Sequence, residues 1–166
     1  MSKKTLFLLR HSYAEGPVGG NDFDRSLTSD GLNTVRALGR YLIKSSFSPS
    51  LILCSPSRRT KETVQNLIEE LEISEKNVKY QEVLYNASVR EMLQEINGLE
   101  NEVHEAVIVA HNPTITYIAE YLSGETIGNI DPCGLVEIEF PDREWGTFDQ
   151  SSGKLISYFH PRKLNV

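Results

Sequence analysis

Apolar positions along this chain follow two different periods. Unbroken short runs occur at 5–9 (TLFLL), 51–54 (LILC) and 106–110 (AVIVA), with a weaker one at 79–84 (KYQEVL). Runs of that length with no polar alternation read as strands buried on both faces. Between them, apolar residues return every three or four positions. Leu32, Val35, Leu38 and Leu42 mark a helix over 29–44, N-capped by Ser29 or Thr28. The sets Val64/Leu67/Ile68/Leu71, Val89/Met92/Leu93/Ile96 and Ile115/Ile118/Ala119/Leu122 mark three more. Strands alternating with one-sided helices predict an α/β fold, a three-layer α/β/α sandwich around a mostly parallel central sheet. The period changes late in the chain. Residues 134–140 (GLVEIEF) alternate Val136, Ile138 and Phe140 with Glu137 and Glu139, and 154–159 (KLISYF) suits pairing with them. The polar, turn-rich stretch between these two predicts an antiparallel pair at the sheet edge.

Size and charge narrow the picture. At 166 residues, with 39% apolar and 24% charged positions, one domain over 1–166 with a single core is expected. A net charge of −6 excludes a general nucleic-acid footprint, although a local anion pocket is compatible with it. The apolar run near the N-terminus is too short for a signal peptide, and no stretch reaches the length of a membrane span. Cys54 and Cys133 show neither metal-ligand nor disulfide-framework spacing. Together these features predict a cytoplasmic protein with two reduced, buried thiols and no nucleic-acid or membrane partner.

The candidate chemistry lies where strands end. Arg10, His11 and Ser12 follow the first strand, Arg58 and Arg59 follow the second as a helix opens, and His111 and Asn112 follow the fourth. In open parallel sheets, ligands bind at the carboxyl ends of the strands, so these segments are predicted to converge. Taken singly, each has an ordinary reading: a surface pair, a solvated first turn, a helix cap. Their shared location is what argues for an oxyanion site, most simply for a phosphoryl group held by guanidiniums, imidazoles and helix N-termini. His104 and His160 lack that context and read as structural or solvent-exposed. No glycine-rich nucleotide loop, nucleophile elbow or zinc spacing competes, and 16–22 (GPVGGND) reads as a flexible loop beside the site.

These residues resemble the histidine phosphatase (phosphoglycerate mutase-like) superfamily. LLRHSYA resembles its Arg-His-Gly signature, with Ser12 where glycine is usual, and LTSDG (27–31) its Leu-Thr-x-x-Gly helix start. SPSRRTKET (55–63) is similar to the segment that carries the second arginine, here Arg59, and a threonine, here Thr63. VIVAHNP (107–113) is similar to the second-histidine segment. With its short length, DFDRSLT (22–28) and AHNPTI, the chain is most similar to the SixA-type phosphohistidine phosphatases. The resemblance implies His11 as nucleophile through a covalent phosphohistidine, with Arg10, Arg59 and His111 around the phosphoryl oxygens. Ser12 and Asn112 join them as phosphate-binding residues. It implies no metal and no other cofactor.

Members acting on alkyl phosphates place a carboxylate after the third strand to protonate the leaving group. Here 83–91 (VLYNASVRE) begins without one, which leaves Glu82, Glu91 and Asp22, with Asp24 behind them, as candidate acids. An imidazole is a far better leaving group than an alkoxide, its own pKa being near ~6.5, so a missing acid is tolerable for N–P cleavage. The expected function is therefore a phosphatase for phosphohistidine on a protein, such as a histidine-phosphotransfer domain. The alternatives are a phosphatase for small phosphate monoesters and a non-catalytic phosphoprotein-binding module. A mutase, which needs the acid, is disfavoured.

Overall fold

The structure is a computed structural model that describes residues 3–162. The ends of the expected 1–166 domain, residues 1, 2 and 163–166, lie outside the described residues. Six strands form one sheet: β1 (Lys4–Arg10), β2 (Leu51–Cys54), β3 (Val78–Tyr80), β4 (Glu105–Ala110), β5 (Leu135–Phe140) and β6 (Lys154–Phe159). Their order is β3-β2-β4-β1-β5-β6. β1, β2, β3 and β4 run parallel, whereas β5 is antiparallel to both β1 and β6. The late pair is therefore antiparallel, as expected, with β6 at the edge.

Four helices cover the sheet: α1 (Ser29–Ile43), α2 (Arg58–Leu71), α3 (Val89–Asn97) and α4 (Thr114–Ser123). The alternation of side chains along each buried strand builds two cores. Leu6 and Leu8 of β1 join Ile108, Met92, Ile96 and Ile118 on the α3/α4 face. Phe7 and Leu9 join Val107, Val35, Leu38 and Leu67 on the α1/α2 face. Each such side chain contributes roughly 1.5–3 kcal/mol on burial, which is why the doubly covered strands carry no polar alternation. The sandwich is three-layered.

Two local expectations change. Thr28, not Ser29, caps α1, accepting the Gly31 N–H at 2.8 Å. The expected strand over 79–84 is only Val78–Tyr80, pairing along one side with β2. After Gln81 gives its N–H to Cys54 the chain turns through Glu82–Leu84, because Leu84 is drawn under the sheet into the α3/α4 core. A strand continuing along the edge would have left that leucine outside.

Candidate active site

The carboxyl ends of β1, β2 and β4 meet as the strand order requires. β1 lifts Arg10 and His11 to its tip, where Cys133 N–H binds the carbonyls of both and Arg10 N–H binds Gly134 O. The loop entering β5 thus clamps the end of β1. Two further contacts fix the turn after His11. Ser12 N–H donates to Thr63 Oγ1 (3.0 Å), whose hydroxyl donates to Arg59 O (2.7 Å). The Ser12 hydroxyl donates to Gly31 O (2.8 Å). A Cβ on Gly31 would lie 2.2 Å from the Tyr13 carbonyl oxygen, so only glycine lets α1 approach this turn. The Leu-Thr-x-x-Gly stretch is the support of the His11 turn.

His11 is 8% exposed, and its Nδ1 lies 2.7 Å from Ser12 O. A carbonyl only accepts, so Nδ1 carries the proton and Nε2 keeps its lone pair. Burial pushes the ring's pKa down to about 4; the Ser12 carbonyl opposes this, and Arg59, Arg10 and Arg25 add to it. His111 lies across the cleft with ring centroids 5.5 Å apart. Its Nδ1 accepts from an Arg59 N–H (3.3 Å), and its Nε2–H donates to Ser55 Oγ (2.8 Å). Burial, then the charge of Arg59 and neighbouring His11, pushes it down to about 3. Both imidazoles are neutral at pH 7.

Such depressed values cost stability in acid. Below about pH 6.5 the unfolded chain protonates both rings while the folded chain does not, so stability falls as pH drops toward 4. Each ring withdraws up to about 1.4 kcal/mol per pH unit in that window. Urea midpoints measured at pH 7, 6 and 5 are expected to decline, and His11→Gln is expected to flatten the slope. An unchanged slope in the variant would mean that His11 titrates normally.

Arg59, 7% exposed in its side chain, reaches the cleft from the first turn of α2. It donates to Asp22 O (2.8 Å) and to Asp22 Oδ2 (3.1 Å). Arg10 donates to Ile130 O (2.9 Å). Among the described residues, the buried side-chain nitrogens and oxygens without a hydrogen-bond partner are Nε of Arg10 and Nε of Arg59. An unsatisfied buried donor costs about 1–3 kcal/mol, more when charged, so two such guanidinium donors beside the two imidazoles suit an anion.

The structure brings Arg10, His11, Arg59 and His111 together, as the strand ends implied, but withholds two other side chains. The Ser12 hydroxyl is fully buried and committed to the carbonyl of Gly31 in α1. Asn112 spends its side chain on Asn129 Oδ1, Ile130 O and Thr116 Oγ1, tying the start of α4 to the loop before β5. Both positions hold the wall, and neither offers its side chain to a phosphoryl group. Of the candidate acids, Glu91 closes a capping box with Ser88 at the start of α3, and Glu82 lies exposed in the turn after β3. Asp24 accepts from Asn21 within its own loop. Only Asp22 reaches the cleft. The Tyr85 hydroxyl (2.6 Å), then Arg25 and Arg59, hold its pKa down at about 2 against partial burial. It is a carboxylate at neutral pH and carries no proton to donate.

Two site residues escaped the sequence reading. Tyr85 lies inside the stretch searched for a carboxylate, and a phenol does not meet that test. Its ring stands edge-on to His111 at 5.6 Å, beside a cavity of about 170 Å³. Ser55 opens the SPSRRTKET segment, but nothing in its spacing reveals a bond to a histidine 56 residues later. His160, read as structural or exposed, is buried and bonded through Nε2 to Tyr13 Oη and Pro132 O. Cys54 and Cys133 are free and buried. Among the described residues, no group of three or more His, Cys, Asp or Glu side chains is placed to hold a metal ion. No helix among them is long and apolar enough to cross a membrane.

The family profile of the histidine phosphatase superfamily (branch 1) matches residues 6–92, more than half of the chain. An uncharacterized protein of Mycobacterium leprae is 28% identical over 93% of this chain and all of its own length. Among solved structures, the putative phosphohistidine phosphatase SixA of Agrobacterium tumefaciens is 26% identical, with a TM-score of 0.81 over 95% of this chain and 98% of its own. The one from Nakamurella multipartitia superposes with a TM-score of 0.84 at 24% identity, covering 97% of this chain and 98% of its own.

Proposed function

The chain belongs to the histidine phosphatase superfamily and is a phosphatase, and from that premise we propose that it dephosphorylates phosphohistidine on another protein, of the kind a histidine-phosphotransfer domain presents. His11 Nε2 attacks phosphorus in line and forms a transient phosphohistidine. The bond from Nδ1–H to Ser12 O keeps the attacking lone pair in place. Arg10 and Arg59 bind the phosphoryl oxygens and stabilise the charge that spreads over them in the transition state. A phosphoryl dianion also raises the proton affinity of His111, turning it from an acceptor of Arg59 into a donor to the anion. Water then cleaves the His11 N–P bond and releases inorganic phosphate. A cytoplasmic location accords with this reading.

One observation carries the choice of substrate: the Asp22 carboxylate accepts hydrogen bonds from Tyr85, Arg59 and Arg25, which favour its ionised form. An alkoxide leaving group needs a proton at departure, whereas an imidazole with a protonated distal nitrogen leaves neutral without one. Likeness to the SixA phosphohistidine phosphatases supports the same choice.

Turnover of a phosphohistidine peptide is expected to exceed that of a panel of sugar, nucleotide and aryl monophosphates in kcat/KM. Preference for the monoesters would replace this reading with a small-molecule phosphatase. Binding without turnover of either would indicate a phosphoprotein-binding module.

A further inference from the structure

The mouth of the cleft carries a group that the two-step chemistry does not use. Asp22, with its side chain 51% exposed, lies on the loop after β1 and bridges three donors. Oδ2 accepts from Tyr85 Oη (2.6 Å) and Arg59 Nη2 (3.1 Å), and Oδ1 accepts from Arg25 Nη1 (3.1 Å). A carboxylate offers about four lone-pair sites, so these three bonds fix its orientation and leave one acceptor position on Oδ1. Aromatic rings frame it. Phe23 packs edge-on to Tyr85 at 5.1 Å, and Tyr85 stands edge-on to His111 at 5.6 Å. His11 is buried whereas Asp22 is half-exposed and held against Arg59 and Tyr85, so Asp22 lies on the solvent side of the site, the side on which a leaving group can depart.

We infer that Asp22 accepts the distal ring N–H of the substrate's phosphorylated imidazole, which makes it the residue that selects a phosphorylated imidazole over a phosphate ester. The inference rests on the phosphohistidine reading above and names how that substrate is recognised. The His11 Nε2 lone pair forms the new N–P bond as the substrate's N–P bond breaks, and the bonding pair stays on the departing ring nitrogen. The distal nitrogen already holds its proton, so the ring leaves as neutral imidazole. A carboxylate hydrogen-bonded to that N–H favours the protonated, departing form of the substrate and gives nothing to an ester oxygen, which has no proton to share. An ester carrying further negative charge is also repelled. The acid expected at this position is thus an acceptor for a substrate that brings its own proton.

The test compares wild type, Asp22→Ala and Asp22→Asn on a phosphohistidine peptide and on p-nitrophenyl phosphate, whose leaving group has no N–H. Losing a hydrogen bond to a charged acceptor is expected to lower kcat/KM on the peptide about 10- to 100-fold in Asp22→Ala. Asp22→Asn, which keeps a carbonyl acceptor, falls between. p-Nitrophenyl phosphate is expected to lose only what the loosened Arg59 contact costs, so in both variants the loss on the peptide exceeds the loss on the ester. Equal losses on both substrates would show that Asp22 acts only by holding Arg59, and no loss on the peptide would show that it does not meet the ring. Either result overturns the inference while leaving phosphohistidine as the substrate. A wild type inactive on the peptide but active on the ester would overturn both.

Discussion

His11→Ala is expected to remove turnover on every substrate, by a factor on the order of 10⁶, the scale seen when a covalent nucleophile is deleted from a preorganised site. The reason is local. Nε2 is the nitrogen left with a lone pair at the buried end of the cleft, its ring being held neutral with a pKa of about 4. Alanine leaves the arginines in place, so the variant still binds phosphate or vanadate while losing chemistry. Rapid acid- and base-quench experiments with ³²P-labelled substrate give a second readout. Wild type is expected to trap an acid-labile, base-stable protein label, and the variant none. Label that persists in His11→Ala would move the nucleophile elsewhere.

The second large effect is expected at Arg59. Its removal should lower kcat by about 10²- to 10³-fold, the usual consequence of losing one preorganised donor to a developing anion. Unlike the Asp22 variants, Arg59→Ala is expected to lose activity equally on phosphohistidine and aryl phosphate, because both transition states carry the same equatorial oxygens. Arg59→Lys restores charge but not the fork that reaches Asp22 O, Asp22 Oδ2 and His111 at once, so it should recover only part of the rate. Full recovery by lysine would reduce the role of Arg59 to that of a point charge.

What could be read from the chain, and what could not, divides by the range of the contact. The parallel sheet, the late antiparallel pair and the four helices follow from periods of two and three-to-four residues, which are local. Arg10, His11, Arg59 and His111 were legible because three strand ends point to one edge whatever the details of packing. The strand over 79–84 was overdrawn because burial of Leu84 beneath the sheet is a tertiary event. Ser12 and Asn112 were assigned to phosphate by position alone. Their hydroxyl and amide are claimed by the Gly31 carbonyl and by the Asn129–Ile130 loop, partners no spacing rule announces. Asp22 was found as a residue but its ionised state could not be read, because two of its three donors, Arg59 and Tyr85, come from elements far away in sequence. Whether a carboxyl group gives or accepts a proton depends on those neighbours.

The strand order has a consequence for biosynthesis. β1 and β2 emerge first but never touch, since β4 lies between them in the sheet. A chain halted on the ribosome before residue 105 therefore holds Arg10, His11 and Arg59 with no common edge to display them. The pocket closes only when β4 threads between the two and brings His111, and the tip of β1 is clamped later still, when the segment entering β5 arrives. Anion binding thus arises with the finished sheet, and partial translation products lack a working cleft.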